Sequence, residues 1–260
     1  MKLITSKDNS FYKELSKLSS SARHRTKAGQ TLLDGAHLLA AYLASGNQPL
    51  HLLLTAAALH DAEISSLIKT IPDVPLSQLD DALFASLSEL KTVSGVLALI
   101  SVPAIAASSQ KNDFCLLLEN IQDPGNLGSI LRSAAAAGCD AVYLSAACAD
   151  AWSPKVLRAA MGGHFVMNVH ENADLLAVAN NFSGTIYAAA LSATSSIYSS
   201  NLRDNIAFAI GNEGAGLTLD LLAKSVSITI PMPGKVESLN AAAAAAICLF
   251  EAVRQRSILH

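Results

Sequence analysis

The spacing of apolar positions predicts helices that alternate with strands in the first hundred residues. Side chains such as Phe11, Leu15 and Leu18 recur at helical spacing, and short continuous apolar runs lie between such segments. The predicted helices are DNSFYKELSKLSS, AHLLAAYLASG with Gly46 at its end, AAALHDAEISSLIKT and LSQLDDALFASLS, and the predicted strands are TLLDG, PLHLLLT and GVLALISV. This alternation predicts a small α/β domain.

The second half of the chain has strands that are apolar throughout. The predicted strands are FCLLLE, AVYLS, TIYAAA, IAFAIG and VSITI, and the predicted helices lie at about 126–137, 153–161, 172–180, 216–224 and 240–256. Fully apolar strands that alternate with helices are typical of a parallel sheet covered on both faces. Ligands of such sheets bind beyond the carboxyl ends of the strands, so the residues after these strands are the candidates for chemistry.

A segment without periodicity separates the two halves. It is PAIAASSQKND, rich in Ala and Ser. We predict a domain at 1–102, a linker at 103–113 and a second domain at 114–260. No apolar run approaches the ~18 residues of a membrane span. The first ten residues lack the apolar stretch of a secretory signal, so we expect a cytoplasmic protein with no membrane partner.

Charge is distributed unevenly although the net charge is only −3. Residues 1–30 hold seven Lys or Arg and two Asp or Glu, a sum of +5, which leaves −8 for the rest. A basic segment on an acidic body favours contact with a polyanion through residues such as Arg23, Arg25 and Lys27. A solvated helical face explains the same charges equally well.

The cysteines and histidines show no spacing that would bind a metal. None of the four cysteines forms a C-x-x-C pair, and no histidine lies near them at zinc spacing. We predict no metal, and we expect the thiols to be buried and reduced.

A glycine-rich turn follows the strand IAFAI. Its order is Gly211-x-x-Gly214-x-Gly216, which reverses the spacing of a dinucleotide fingerprint, and Glu213 would repel a pyrophosphate. An NAD-binding oxidoreductase is therefore disfavoured. A P-loop is excluded because no G-K-[ST] is present.

Two other strand ends carry polar residues. After FCLLLE, a D-P-G turn leads to Asn126, which can cap a helix, and Arg132 follows six residues later. Arg132 either forms a salt bridge or contacts an anion. After VSITI, a stiff loop with two prolines leads to Ser238 and Asn240 and then to six alanines. The alanines either allow another backbone to approach closely or simply favour helix.

Three of these segments together resemble the motifs of SpoU/TrmH-type RNA 2′-O-ribose methyltransferases of the SPOUT superfamily. The segments are NIQDPGNLGSILRSAAAAG, IAFAIGNEGAGL and ITIPMPGKVESLNAAAAAA, and SPKVLRAAMGGHF is also similar to this family. RHRTKAGQTLLDGAHLL and VSGVLALI resemble an L30e-like substrate-binding domain. The resemblance covers nearly the whole chain.

The resemblance implies an α/β parallel-sheet domain with a C-terminal trefoil knot, S-adenosylmethionine as cofactor, RNA as substrate and a homodimer. The cofactor positions it implies are Ala189, Gly211, Ile230, Met232 and Leu239. It also implies that Arg132 is catalytic and contacts RNA, that Asn126 and Glu213 orient it, and that Ser238 and Asn240 shape the loop and touch the nucleotide.

The resemblance leaves three questions open. Arg132 is either the base or a phosphate clamp, and a guanidinium is a poor proton acceptor. Ribosomal RNA is favoured as the substrate, with transfer RNA or a non-catalytic RNA-binding relative as alternatives. Asp34-Gly35 and Ser94 depart from the family pattern, so the RNA contacts of the N-terminal domain stay open.

Overall fold

The computed structural model describes residues 1–88, 90, 93–104, 113–212 and 214–257. The chain divides into two compact units. The first comprises Met1–Ala104 and Trp152–Phe165, and the second Ile105–Ala151 and Val166–His260. Most of the predicted linker lies outside the described residues, and the predicted domain boundaries stay a prediction.

Eleven strands and ten α-helices are present in the described residues. The strands are β1 Lys2–Ile4, β2 Gln30–Asp34, β3 His51–Leu54, β4 Leu76–Leu79, β5 Val96–Ser101, β6 Phe114–Leu118, β7 Ala141–Leu144, β8 Asn168–His170, β9 Thr185–Ala189, β10 Ile206–Ile210 and β11 Val226–Ile228. The helices are α1 Ser10–Ser20, α2 Ala22–Ala28, α3 Ala36–Ala44, α4 Ala62–Lys69, α5 Asp81–Leu87, α6 Pro124–Ala137, α7 Pro154–Ala160, α8 Leu175–Asn181, α9 Leu219–Ala223 and α10 Ala241–Ser257.

The first unit is built on a five-stranded sheet in the order β1-β4-β3-β5-β2. Strand β5 runs antiparallel to β2 and β3, whereas the other pairs are parallel. Leu15 and Leu18 of α1 pack against Phe84 of α5 and Leu53 of β3 in the core. The predicted α1 is confirmed, and the side chain of Asn9 caps it by accepting from the main-chain N–H groups of Phe11 and Tyr12.

One helix prediction in this unit is partly wrong. The segment LSQLDDALFASLS forms strand β4 followed by helix α5, and Asp80 caps the helix between them. Ser77 and Leu79 are buried because β4 pairs with both β1 and β3. Pairing within the sheet thus outweighs the helical spacing of the leucines. The neighbouring predicted helix begins only at Ala62, after a short 3₁₀ turn and the cap residue Asp61.

The second unit confirms the predicted parallel sheet. Its six strands lie in the order β11-β9-β10-β6-β7-β8, and every pair is parallel. Every residue of the central strands β6 and β10 is buried. Strand β8 was not predicted, because its three residues include two polar ones. The trefoil knot stays a prediction.

Because the sheet is parallel, its strands end at one edge. Glu119, Gly211 and Thr229 follow β6, β10 and β11 directly, and Ala190 follows β9. Residues that are more than a hundred positions apart in sequence therefore meet there. Among the described helices, none is long and apolar enough to cross a membrane.

The cysteines are free thiols. Cys115, Cys139 and Cys248 are buried, whereas Cys148 is half-buried. Burial raises the pKa of Cys115 and of Cys248 to about 12, so these thiols stay protonated at neutral pH. Within the described part of the chain, no cluster of three or more His, Cys, Asp or Glu side chains could hold a metal ion.

Gly184 immediately precedes β9, where the chain passes very close to the main chain of Asn205. A Cβ at position 184 would collide with the Asn205 carbonyl, which accepts a hydrogen bond from the Thr185 N–H at 3.0 Å. We expect Gly184→Ala to lower the free energy of unfolding by about 1–3 kcal/mol. Urea denaturation should show little change for Gly234→Ala, where a Cβ meets nothing. Equal stability of the two variants would contradict this packing.

Candidate active site

A pocket of about 370 Å³ lies at the carboxyl ends of β9, β10 and β11. Three loops form it: the chain after β9, the glycine-rich turn after β10 and the proline-containing loop after β11. All five cofactor positions implied by the resemblance line this pocket, and they are Ala189, Gly211, Ile230, Met232 and Leu239. Ser238, which the resemblance implies shapes the loop and touches the nucleotide, lines it as well.

The described walls of the pocket are mostly apolar, and their polar lining residues are uncharged. Ile210, Leu217, Leu222 and Ile228 contribute aliphatic surface, and no described lining residue carries a charge. Gly211 is required by close packing, because a Cβ there would collide with the main chain of Gly216 and Leu217. Such a pocket offers an apolar surface together with main-chain donors and acceptors.

Two residues at the end of β6 hold the turn after β10 at both of its ends. The buried carboxylate of Glu119 accepts hydrogen bonds from the Thr218 N–H at 2.7 Å and from the Thr218 hydroxyl at 2.9 Å. The carbonyl of Asn120 accepts a hydrogen bond from the side-chain amide of Asn212 at 3.1 Å. We name these three hydrogen bonds the β6 clamp. None of these four residues was predicted from the sequence, although Asn120 and Asn212 each directly follow a predicted strand.

The turn is also fixed from within. The side-chain oxygen of Asn212 accepts hydrogen bonds from the N–H groups of Gly214 at 2.8 Å and Ala215 at 3.2 Å. The Gly216 N–H donates to the Asn212 carbonyl at 2.8 Å, and Gly216 has a φ of 68°, which favours glycine. The turn therefore presents a defined main-chain surface to the pocket.

Asn126 and Asn240, 114 positions apart in sequence, are joined by a direct hydrogen bond. The side-chain amide of Asn240 donates to the side-chain oxygen of Asn126 at 2.9 Å. Asn240 also caps α10, since its side-chain oxygen accepts from the N–H groups of Ala242 and Ala243. Asn126 lies in the first turn of α6, where its N–H donates to Asp123. The cap of α6 thus comes from Asp123 and not from Asn126 as predicted.

Arg132 lies on α6, less than two turns beyond Asn126, and its side chain is exposed. It forms no hydrogen bond or ion pair with any residue that the structure describes. The salt bridge that the sequence left open is thus not seen among these residues, and the guanidinium is accessible to an external anion. Glu213, predicted to orient Arg132, lies outside the described residues.

The predicted RNA-binding arginines of the first unit differ in their surroundings. Arg23 and Lys27 are exposed on α2. Arg25 is only 5% exposed, and its guanidinium donates to the carbonyls of Leu18 at 2.6 Å and Ser19 at 3.1 Å. A cation that caps the carboxyl end of α1 in this way stabilises that helix. We therefore remove Arg25 from the predicted RNA-binding surface.

Comparison with known proteins decides the family. The SpoU rRNA Methylase family matches residues 113–250, and the MRM3-like substrate binding domain matches residues 9–98. The chain belongs to the SpoU rRNA methylase family. The first match contains the pocket-forming loops after β9, β10 and β11, and the second contains most of the basic N-terminal segment.

Similar proteins within the SpoU family match over nearly the whole chain. The 23S rRNA (guanosine(2553)-2′-O)-methyltransferase RlmP of Bacillus subtilis is 32% identical, over 96% of this chain and 98% of its own length. The mitochondrial rRNA methyltransferase 3A of Danio rerio is 31% identical, over 94% of this chain and 69% of its own length. The solved structure of the SpoU methyltransferase AviRb of Streptomyces viridochromogenes contains S-adenosylmethionine. It superposes on this chain with a TM-score of 0.86 at 26% identity, over 96% of this chain and 98% of AviRb.

The β6 clamp provides a test of how the pocket is shaped. We expect Glu119→Gln to weaken binding of S-adenosylhomocysteine about tenfold, because the two Thr218 donors bond different carboxylate oxygens and the amide replaces one of these oxygens with an NH₂ donor. Thr218→Val should act in the same direction, whereas Thr218→Ser, which keeps the hydroxyl, should bind as the unmodified protein does. Isothermal titration calorimetry measures each dissociation constant. Unchanged affinity in Glu119→Gln would show that the clamp does not shape the pocket.

Proposed function

We propose that this protein uses S-adenosylmethionine to methylate a ribose 2′-hydroxyl of ribosomal RNA. The observation that supports this most strongly is the convergence of five separate cofactor positions of the SpoU pattern on one pocket. The membership of the chain in the SpoU family and the named activities of its relatives point in the same direction.

The pocket residues fit the proposed cofactor. A volume of about 370 Å³ lies within the range of small-molecule sites. The aliphatic walls suit an adenine ring, and the main chain at Gly211 and Met232 supplies polar partners. No described lysine or arginine lines the pocket, so its described part does not repel a positively charged sulfonium. When bound, S-adenosylmethionine supplies a methyl group activated by that sulfonium.

The residues of this chain would act mainly by positioning. Methyl transfer from sulfur to oxygen needs the attacking oxygen in line with the departing sulfur, so orientation of the ribose contributes much of the rate. The hydrogen bond between Asn240 and Asn126 joins the loop that carries Ser238 to the helix that carries Arg132. Ser238 and Arg132 would therefore keep the same relative position while RNA binds. Ser238, at the pocket, would touch the nucleotide.

Arg132 acts in this proposal as a phosphate clamp. A guanidinium stays protonated at neutral pH, which makes it a weak base but a strong bidentate donor to phosphate. Its exposure and its freedom from ion pairs with the described residues support this role. The positive charge also stabilises the alkoxide that develops as the hydroxyl loses its proton to solvent water. We propose that Glu213 orients Arg132, as the family pattern suggests.

The first unit would bind the RNA. Its match to a substrate binding domain and the +5 charge of residues 1–30 support this assignment. Arg23 and Lys27 are the exposed candidates for phosphate contacts. Relatives named for ribosomal RNA favour that substrate over transfer RNA, and the predicted cytoplasmic location is consistent with it. Mapping 2′-O-methyl sites in both RNA classes, from cells with and without the protein, separates the two substrates and a non-catalytic relative.

We also propose a homodimer, with α10 at the interface. One face of α10 is buried within the same chain through Ala241, Ala245 and Ala252. These alanines therefore already allow close packing inside the subunit. Phe250 lies on α10 with 46% of its surface exposed, which leaves a large apolar side chain for a partner.

Arg132 provides the first test of this function. We expect Arg132→Ala to reduce methyl transfer to RNA by about 10²–10³-fold, because a charge that stabilises the transition state is lost. Binding of S-adenosylmethionine should be unchanged, since Arg132 does not line the pocket. Radiolabelled methyl transfer and calorimetry give the two readouts. Arg203→Ala, which removes another exposed arginine of the second unit, serves as the control and should retain activity. Full activity in Arg132→Ala would end its catalytic assignment.

Phe250 tests the dimer. We expect the unmodified protein to have a solution mass of twice 27.0 kDa and Phe250→Asp to shift towards the monomer. Light scattering after size-exclusion chromatography measures the mass. A monomer for the unmodified protein at micromolar concentration would contradict the proposed dimer.

A further inference from the structure

The first unit contains a second pocket. Its residues lie far in sequence from the loops after β9, β10 and β11, which form the proposed S-adenosylmethionine pocket. Its volume is about 400 Å³, and it lies between helices α1 and α2 and the beginnings of β2 and β3. Leu15, Leu18 and Leu99 provide an apolar floor that belongs to the core. Phe11, Glu14, His24, Gln30 and His51 add rings and polar groups around that floor.

Two rings form one side of this pocket. Phe11 and His51 are in contact, with ring centroids 4.8 Å apart and an interplanar angle of 57°. Both side chains are only half-buried, although each is large and flat. Burial lowers the pKa of His51, so its imidazole is neutral at neutral pH. Half-buried neutral rings at a pocket can stack on another planar group with the part that stays accessible.

A carboxylate lies at the same pocket. Glu14 accepts from the Lys17 ammonium at 2.8 Å and contacts the His24 imidazole at 2.8 Å. The hydrogen bond from Lys17 lowers the pKa of Glu14, so this group is ionised at neutral pH. Each oxygen of an ionised carboxylate has a second lone pair, which leaves Glu14 able to accept from a ligand. The amide of Gln30 adds a donor and an acceptor.

The charge around the pocket is positive. Four exposed cations lie on the two helices that form its walls, although none of them lines the pocket itself, and they are Lys13 and Lys17 on α1 and Arg23 and Lys27 on α2. Lys13 is paired with Asp8 and Lys17 with Glu14, so these helices keep an excess of positive charge. A ligand with an apolar planar part and an adjacent anionic chain fits both the ring-lined pocket and the cations around it. The chemistry of such a ligand is that of a nucleotide within RNA.

We propose that this pocket binds one unstacked guanine base of the RNA substrate. The proposal rests on the proposed function, because it assumes that RNA is bound. Guanine presents two adjacent donors, N1–H and N2–H₂, which match the two oxygens of Glu14. Adenine presents an acceptor at N1, which the carboxylate repels. The base stacks on Phe11 or His51, and the lysines of α1 contact the flanking phosphates.

Short RNAs test the proposal directly. Three fluorescein-labelled decamers contain nine uridines and one central guanosine, inosine or adenosine, and inosine lacks the N2 amino group. We expect the full-length protein to bind the guanosine decamer about tenfold more tightly than either of the others, as measured by fluorescence anisotropy at one fixed salt concentration. In Glu14→Gln the preference should fall to less than about twofold.

Controls separate this inference from the proposed function. Glu63→Gln removes an exposed carboxylate of α4 in the same unit and should keep the guanosine preference. Thermal denaturation of Glu14→Gln verifies folding. Equal binding of the three decamers by the unmodified protein, or a preference that survives in Glu14→Gln, would overturn the pocket assignment. Failure of the same protein to bind S-adenosylmethionine would instead overturn the proposed methyl transfer.

Discussion

The carboxylate of Glu119 joins the end of one buried strand to the far end of the turn that follows another. The Glu119 carboxylate is buried and accepts two hydrogen bonds from Thr218, which is exposed. A buried carboxylate that lost these donors would be costly, because its charge would be left without a partner. The carbonyl of Asn120 accepts a hydrogen bond from Asn212, at the beginning of the same turn. The turn after β10 is therefore held at both ends by hydrogen bonds to the end of β6, and one wall of the proposed S-adenosylmethionine pocket depends on it.

In the proposed function, different residues bind the methyl donor and contact the RNA. The described pocket walls hold no charge, which suits a ligand recognised by shape and by main-chain groups. The charged groups lie elsewhere, with Arg132 exposed on α6 and the basic helices in the first unit. A change on the surfaces that carry these charges would thus leave the described pocket walls unaltered.

The sequence predicted the parts of the fold that local pattern controls. Fully apolar strands such as IAFAI predicted the parallel sheet, and the residues after them predicted the pocket. Contacts made at long range were not predictable. Ser77 looks helical in sequence but is buried by two neighbouring strands, and Arg25 looks like an RNA contact but caps the helix before it. Glu119 looks in sequence like the polar end of a strand. Its partner Thr218 lies 99 positions away, so local pattern could not reveal the contact.

A crystal structure of the protein with S-adenosylhomocysteine tests the central claim most directly. The account predicts the ligand in the pocket after β9, β10 and β11, against the main chain of Gly211 and Met232, with the Glu119–Thr218 hydrogen bonds intact. A ligand bound at another place, with these loops closed on themselves, would contradict it.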